Sequence, residues 1–129
     1  MRPWQHVLEP LCGYLLLAEK IWLEPEFSGA YNFGPNSSAA ASVQFVISKA
    51  SQTFDNAHFT VETQTENRHE AAWLMLESSK AREVLGVSPR WSLGEAIERT
   101  MSWYKKLFNN CDAQQLCELD ISDYMSGVN

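Results

Sequence analysis

The chain has 129 residues, enough for one domain with a buried core. Hydrophobic residues make up 45% and charged residues 20%, an ordinary balance for a soluble globular protein. A formal net charge of −6 argues against a broad nucleic-acid surface, while leaving room for a local anion site built from one or two Arg.

Other classes fall away on similar grounds. Cys12, Cys111 and Cys117 are odd in number and form no CxxC pair, which suits reduced thiols in a cytoplasmic setting and gives no metal-ligand spacing. Cys12, inside an apolar run, is expected to be buried packing. No apolar stretch is long enough for a bilayer. The short run 15–18 is bracketed by Tyr14 and Glu19 and does not read as a signal peptide. Neither nucleic acid nor membrane is an expected partner.

In chain order, residues 3–8 predict a short extended piece. Pro10 suits the first turn of a helix, where its missing N–H costs nothing. Leu11, Tyr14, Leu15, Ala18 and Ile21 or Trp22 recur at helical spacing, and Pro25 ends the run. Residues 30–33, aromatic and bounded by Gly29 and Gly34, predict a short strand. Residues 34–38 predict a loop. Ser42 can cap a helix carrying Val43, Val46, Ile47 and Ala50 on one face.

The alternation in 58–62 predicts a strand, and 71–77 a second strand or a helix. Ser78 or Ser79 can cap a helix over 80–85, which Gly86 is placed to stop. Ser92 and Glu95 have capping-box spacing. Behind them Leu93, Ala96, Ile97, Thr100, Tyr104, Leu107 and Phe108 form an amphipathic stripe. Asn109 and Asn110 mark a break. A last helix over 113–124 is expected to use Leu116, Ile121 and Tyr124 as apolar contacts. Trp91 and Trp103 read as core residues.

Four blocks carry more than secondary structure. They are Arg2-Pro3-Trp4-Gln5-His6-Val7, Tyr31-Asn32-Phe33-Gly34-Pro35-Asn36, Arg68-His69-Glu70-Ala71 with Leu76-Glu77-Ser78-Ser79-Lys80-Ala81, and Leu85-Gly86-Val87-Ser88-Pro89-Arg90-Trp91-Ser92-Leu93 with Ala96-Ile97-Glu98-Arg99-Thr100 and Trp103-Tyr104. Together they resemble the CDP-glucose 4,6-dehydratases, a branch of the extended short-chain dehydrogenase/reductase enzymes. Lys80-Ala81, Leu85-Gly86 and Pro89 are shared across the superfamily. The opening block and His69-Glu70-Ala71 point to the CDP-glucose branch. Residues 39–66 match poorly.

The resemblance implies an α+β fold, mainly helical with a few short strands: a single substrate-binding domain over 1–129, corresponding to the C-terminal lobe of such an enzyme. It implies CDP-glucose or a related sugar nucleotide as ligand. It also implies Arg2 as a pyrophosphate ligand, which suits a guanidinium's paired N–H donors. Gln5 and His6 are further candidates; on a strand they point to opposite faces, so one of them is expected to reach the ligand. Asn36 and Ser42 lie where the family contacts the nucleotide. His69 and Glu70 belong to the substrate-side wall, with Arg68 a weaker phosphate partner. Asn32 is expected to bond main chain, and Lys80 to be a helix-start surface residue.

Two features of the intact family are missing. NAD needs a Gly-rich turn that brings its pyrophosphate to a helix N-terminus. The glycines at 13, 29, 34, 86, 94 and 127 form no GxxGxxG. The family's Tyr-x-x-x-Lys pair is absent as well: Tyr14, Tyr31, Tyr104 and Tyr124 are followed four residues on by Ala18, Pro35, Phe108 and Val128. The chain is therefore expected to bind no cofactor and to be catalytically incompetent alone. The alternative expectation is a non-catalytic scaffold or self-associating interaction module that keeps a remnant of the fold.

Overall fold

The computed structural model describes residues 1–54, 60 and 73–127. Five helices and two short strands make an α+β arrangement dominated by helix. Strand β1 (Arg2–Pro3) pairs antiparallel with β2 (Ala40–Ala41), Arg2 opposite Ala41 and Pro3 opposite Ala40. This two-residue ladder ties the opening of the chain to the start of α2 (Val43–Ser51). Ser42 caps α2, its Oγ accepting the Phe45 N–H at 3.1 Å.

Helix α1 spans Leu8–Leu23, with Pro10 inside its first turn and Pro25 opening a 3₁₀ turn just beyond its end. Its inward face is not the predicted leucine stripe. Glu9 and Gly13 are buried, whereas Leu11, Tyr14, Leu15, Ala18 and Trp22 are exposed, Trp22 at 87%. Gly13 lets Phe33 approach closely: a Cβ there would lie 2.4 Å from the ring's Cδ1. Cys12 is half-buried rather than fully packed away.

Helix α3 (Ser79–Leu85) ends at Gly86, whose φ of 67° is left-handed, as its place after the helix predicts. Ser78 stands at the cap position without a capping bond, its Oγ accepting from Arg82 Nη1 at 3.0 Å; the Glu77 carboxylate accepts from the Ser79 N–H and hydroxyl instead. Helix α4 (Leu93–Phe108) opens with the full capping box of Ser92 and Glu95. Asn110, at φ 63°, turns the chain into α5 (Ala113–Ser126), capped by Asp112 through the Gln115 N–H at 2.9 Å. Helices α1 and α3, α2 and α4, and α4 and α5 pack pairwise.

Three further expectations change. Residues 30–33 form no strand. Side chains, not a ladder, serve that stretch: Gln5 Nε2 donates to the Phe33 carbonyl at 3.1 Å and Lys80 Nζ to the Ala30 carbonyl at 3.1 Å. Asn32 bonds main chain, donating to the Glu77 carbonyl at 3.0 Å. Residues 73–77 form neither helix nor strand and are tied to the opening segment by the Leu74 N–H to the Met1 carbonyl. On α5, Leu116 and Tyr124 are buried as expected, but Ile121 is exposed, because only one edge of that helix meets α4 and the Glu9 region. The predicted strand over 58–62 lies outside the described residues apart from Thr60, as do residues 71 and 72. Among the described residues no helix is long and apolar enough to cross a membrane.

Candidate functional site

The opening block owes its rigidity to a buried polar hub. Glu9, 5% exposed, accepts from the Arg90 and Trp91 backbone N–H groups through Oε1, each at 3.0 Å. Its Oε2 accepts from the Tyr124 hydroxyl at 2.7 Å. Burial, together with the Glu9 carboxylate that its hydroxyl meets, pushes the Tyr124 phenol pKa well up. A buried carboxyl is costly unless its oxygens are satisfied, and here three donors converge on it. The hub thereby pins the start of α1, the 89–91 loop and the end of α5 to one another.

Aromatic contacts extend it. His6 meets Trp91 edge-on with ring centroids 4.7 Å apart, and Trp91 meets Tyr124 edge-on at 5.0 Å. The Arg99 guanidinium stacks over Trp91 at 4.1 Å while bonding Asp123 at 3.0 Å. The His6 pKa is lowered, first by burial and then by Arg99, against the opposing pull of Asp120 and Glu9.

On the other side of the 89–91 loop opens a cleft of about 660 Å³, within the range of small-ligand sites. Trp4, Phe45 and Trp91 contribute its apolar walls, and Gln5, Asn36, Ser42 and Arg90 its polar groups. The β1–β2 pairing brings the wall together by joining residues almost forty positions apart in sequence. Trp4 is held by its indole N–H, which donates to the Ala41 carbonyl at 3.1 Å. Arg90 stacks over the Tyr124 ring at 4.6 Å and donates through Nη1 to the Tyr124 carbonyl at 2.8 Å. One edge of its guanidinium is thus anchored, and the rest has no protein partner among the described residues.

Of the residues singled out from sequence, Gln5, Asn36 and Ser42 share this cleft. Neither Gln5 nor His6 is on a strand, since β1 ends at Pro3; Gln5 lines the cleft and His6 is buried against Trp91. Arg2 is half-buried beside the cleft on β1, its Nη1 donating to the Met1 carbonyl at 3.0 Å, and is not part of the lining. Arg68, His69 and Glu70 lie outside the described residues. Lys80 sits at the start of α3 over the Tyr31 ring, 4.0 Å from its centroid, as a surface residue.

Sequence reasoning passed over Glu9 and Arg90 individually. The signal for Glu9 was a lone carboxyl between Leu8 and Pro10 at the head of an apolar helix. For Arg90 it was a cation beside Trp91 in a Pro-led connection between two helix signals.

Gly13 lies within α1 against Phe33 and Gly86 closes α3, so neither opens a helix toward a dinucleotide pyrophosphate. Among the described residues no three His, Cys, Asp or Glu side chains cluster as metal ligands.

No protein-family model matches the chain. It is similar to the CDP-glucose 4,6-dehydratase of Salmonella typhimurium (strain LT2), at 40% identity over 130 residues, covering 99% of this chain and 36% of that relative. The chain thus spans about a third of the length of the curated relative it matches.

Proposed function

We propose that the chain supplies the sugar-nucleotide-binding part of a CDP-glucose 4,6-dehydratase-like enzyme, and that it does not perform the redox step itself. The observation that carries this is a coincidence of position. Three of the four blocks that resemble the family border one cleft of ligand size, in a chain 40% identical to such a dehydratase along nearly its whole length. In this reading Trp4, Phe45 and Trp91 form the apolar walls that exclude water from the nucleotide. Gln5, Asn36 and Ser42 orient it by hydrogen bonds; Ser42 keeps its hydroxyl hydrogen for a ligand while its oxygen caps α2. Arg90 offers its outer guanidinium edge to phosphate oxygens, and Arg2 closes on the pyrophosphate from β1. His6 acts indirectly, by holding the block against Trp91. His69 and Glu70 complete the substrate-side wall. No NAD-dependent step is assigned to these residues.

Titration of the chain with CDP-glucose, UDP-glucose and dTDP-glucose tests the reading. Binding no tighter than roughly millimolar, about −4 kcal/mol, is expected for a wall that must order itself around the ligand. A charge-assisted hydrogen bond contributes about 1.5–3 kcal/mol, so Arg2→Ala should weaken binding by roughly 10- to 150-fold, measured most readily in a full-length enzyme. Arg2→Lys should restore only part of the loss, since an ammonium cannot form the paired contact. Affinity unchanged in Arg2→Ala would remove the clamp.

The outer face of α1 favours a second reading, a self-associating module without catalysis. Leu15 is 74%, Trp22 87% and Leu23 68% exposed along that face. Light scattering separates the two: mass that rises with concentration supports association, and a monomer throughout removes it.

A further inference from the structure

A second cavity, of about 550 Å³, lies between the head of α1, the middle of α4 and the outer edge of α5. Leu8, Leu11, Trp103, Tyr104 and Ile121 make most of its wall apolar. His6, only 6% exposed, also lines it. The His6 ring has one nitrogen committed: Nδ1 accepts from the Leu8 backbone N–H at 3.3 Å. That bond places the proton of the neutral ring on Nε2. Nε2 has no hydrogen-bond partner among the described residues. Yet every side-chain nitrogen or oxygen sealed within the described residues has a partner, so Nε2 must face open space. His6 lines this cavity and not the nucleotide cleft, so its unpaired nitrogen is assigned here.

We propose that this cavity is a binding site for a small neutral aromatic carbonyl compound, whose oxygen accepts the His6 Nε2–H and whose ring lies between Leu11, Trp103 and Ile121. The chemistry narrows the class in three steps. A donor at the base of an apolar cavity selects a ligand with one acceptor, because an unmatched buried N–H is costly. The ring contacts favour an aromatic body. Asp120, also in the wall, repels anions, and its neighbour Arg99 is already paired with Asp123 and Asp120 at 3.0 and 3.8 Å. The lowered His6 pKa agrees, since it keeps the ring a neutral single donor at neutral pH. The Thr100 hydroxyl hydrogen is spent on the Ala96 carbonyl at 2.7 Å, the Gln5 amide donates to the Phe33 carbonyl at 3.1 Å, and Tyr104 is 54% exposed, which leaves His6 as the buried donor of the wall. The cavity shares only Gln5 with the lining of the nucleotide cleft, and the proposal does not use that residue.

The test is an NMR titration of the whole chain with acetophenone, and with cumene as the shape-matched partner that lacks the oxygen, reading the Trp103 indole and His6 ring signals. Acetophenone should shift both signals saturably, and cumene should bind about 2- to 10-fold more weakly, the worth of one neutral hydrogen bond. His6→Phe should abolish that preference. Cys117→Trp, at an exposed α5 position on the cavity wall, should block both compounds without touching His6. If His6→Phe fails to fold, Cys117→Trp still decides. Equal binding of the two compounds, no saturable shift at Trp103, or a shift that survives Cys117→Trp would each overturn the proposal.

Discussion

Glu9→Ala should be the most damaging single truncation in the described chain. The substitution removes both oxygens from a site that is 5% exposed and strands the Arg90 N–H, the Trp91 N–H and the Tyr124 hydroxyl. A buried donor left without a partner costs about 1–3 kcal/mol. The two backbone donors are only part-buried and Tyr124 is fully buried, so the three together cost about 3–5 kcal/mol. That is a large share of the roughly 5–15 kcal/mol that holds a domain folded. Glu9→Gln keeps one oxygen for the two backbone donors and turns an amide toward a phenol oxygen that can accept, so its loss should be about 1–2 kcal/mol. Urea unfolding followed by circular dichroism measures both. Combined with Tyr124→Phe in a double-mutant cycle, Glu9→Ala should show about 0.5–3 kcal/mol of coupling, because both changes break the same bond. A Glu9→Ala loss under about 1 kcal/mol, or no coupling to Tyr124, would refute the hub as the tie between α1, the 89–91 loop and α5.

Gly13→Ala should destabilise the chain by about 1–3 kcal/mol although alanine favours helix, because its Cβ meets the Phe33 ring at 2.4 Å; a gain in thermal midpoint would refute that contact. His6 sets a pH dependence whose sign follows from its lowered pKa. Above its ordinary value of 6.5 the ring is neutral folded and unfolded and has no effect; below it the unfolded chain takes the proton first, so stability falls as pH drops toward the folded pKa and then levels. Unfolding midpoints between about pH 8 and pH 5 should therefore decline more steeply in the native chain than in His6→Phe, and equal slopes would show that His6 contributes nothing.

Interactions that close within a few residues were legible from the amino-acid order alone. Ser42 over α2, Ser92 with Glu95 over α4 and Gly86 behind α3 each depend on backbone groups within about four positions, so residue type and spacing suffice. The family resemblance likewise singled out Gln5, Asn36 and Ser42, which share the cleft. Direction and partnership were not legible. The apolar recurrence on α1 revealed a stripe but not which way it turns, and the helix is in fact seated by Glu9 and Gly13. Residues 30–33 had strand composition, but a strand needs a neighbouring strand, and side chains from Gln5 and Lys80 took its carbonyls instead. The hub joins Glu9 to Arg90, Trp91 and Tyr124 across 81, 82 and 115 positions. No local pattern encodes such meetings, because they exist only once the packing of the helices has brought distant donors around one carboxyl. The same packing buried His6 against Trp91 while leaving Gln5, its neighbour in sequence, in the lining of the cleft.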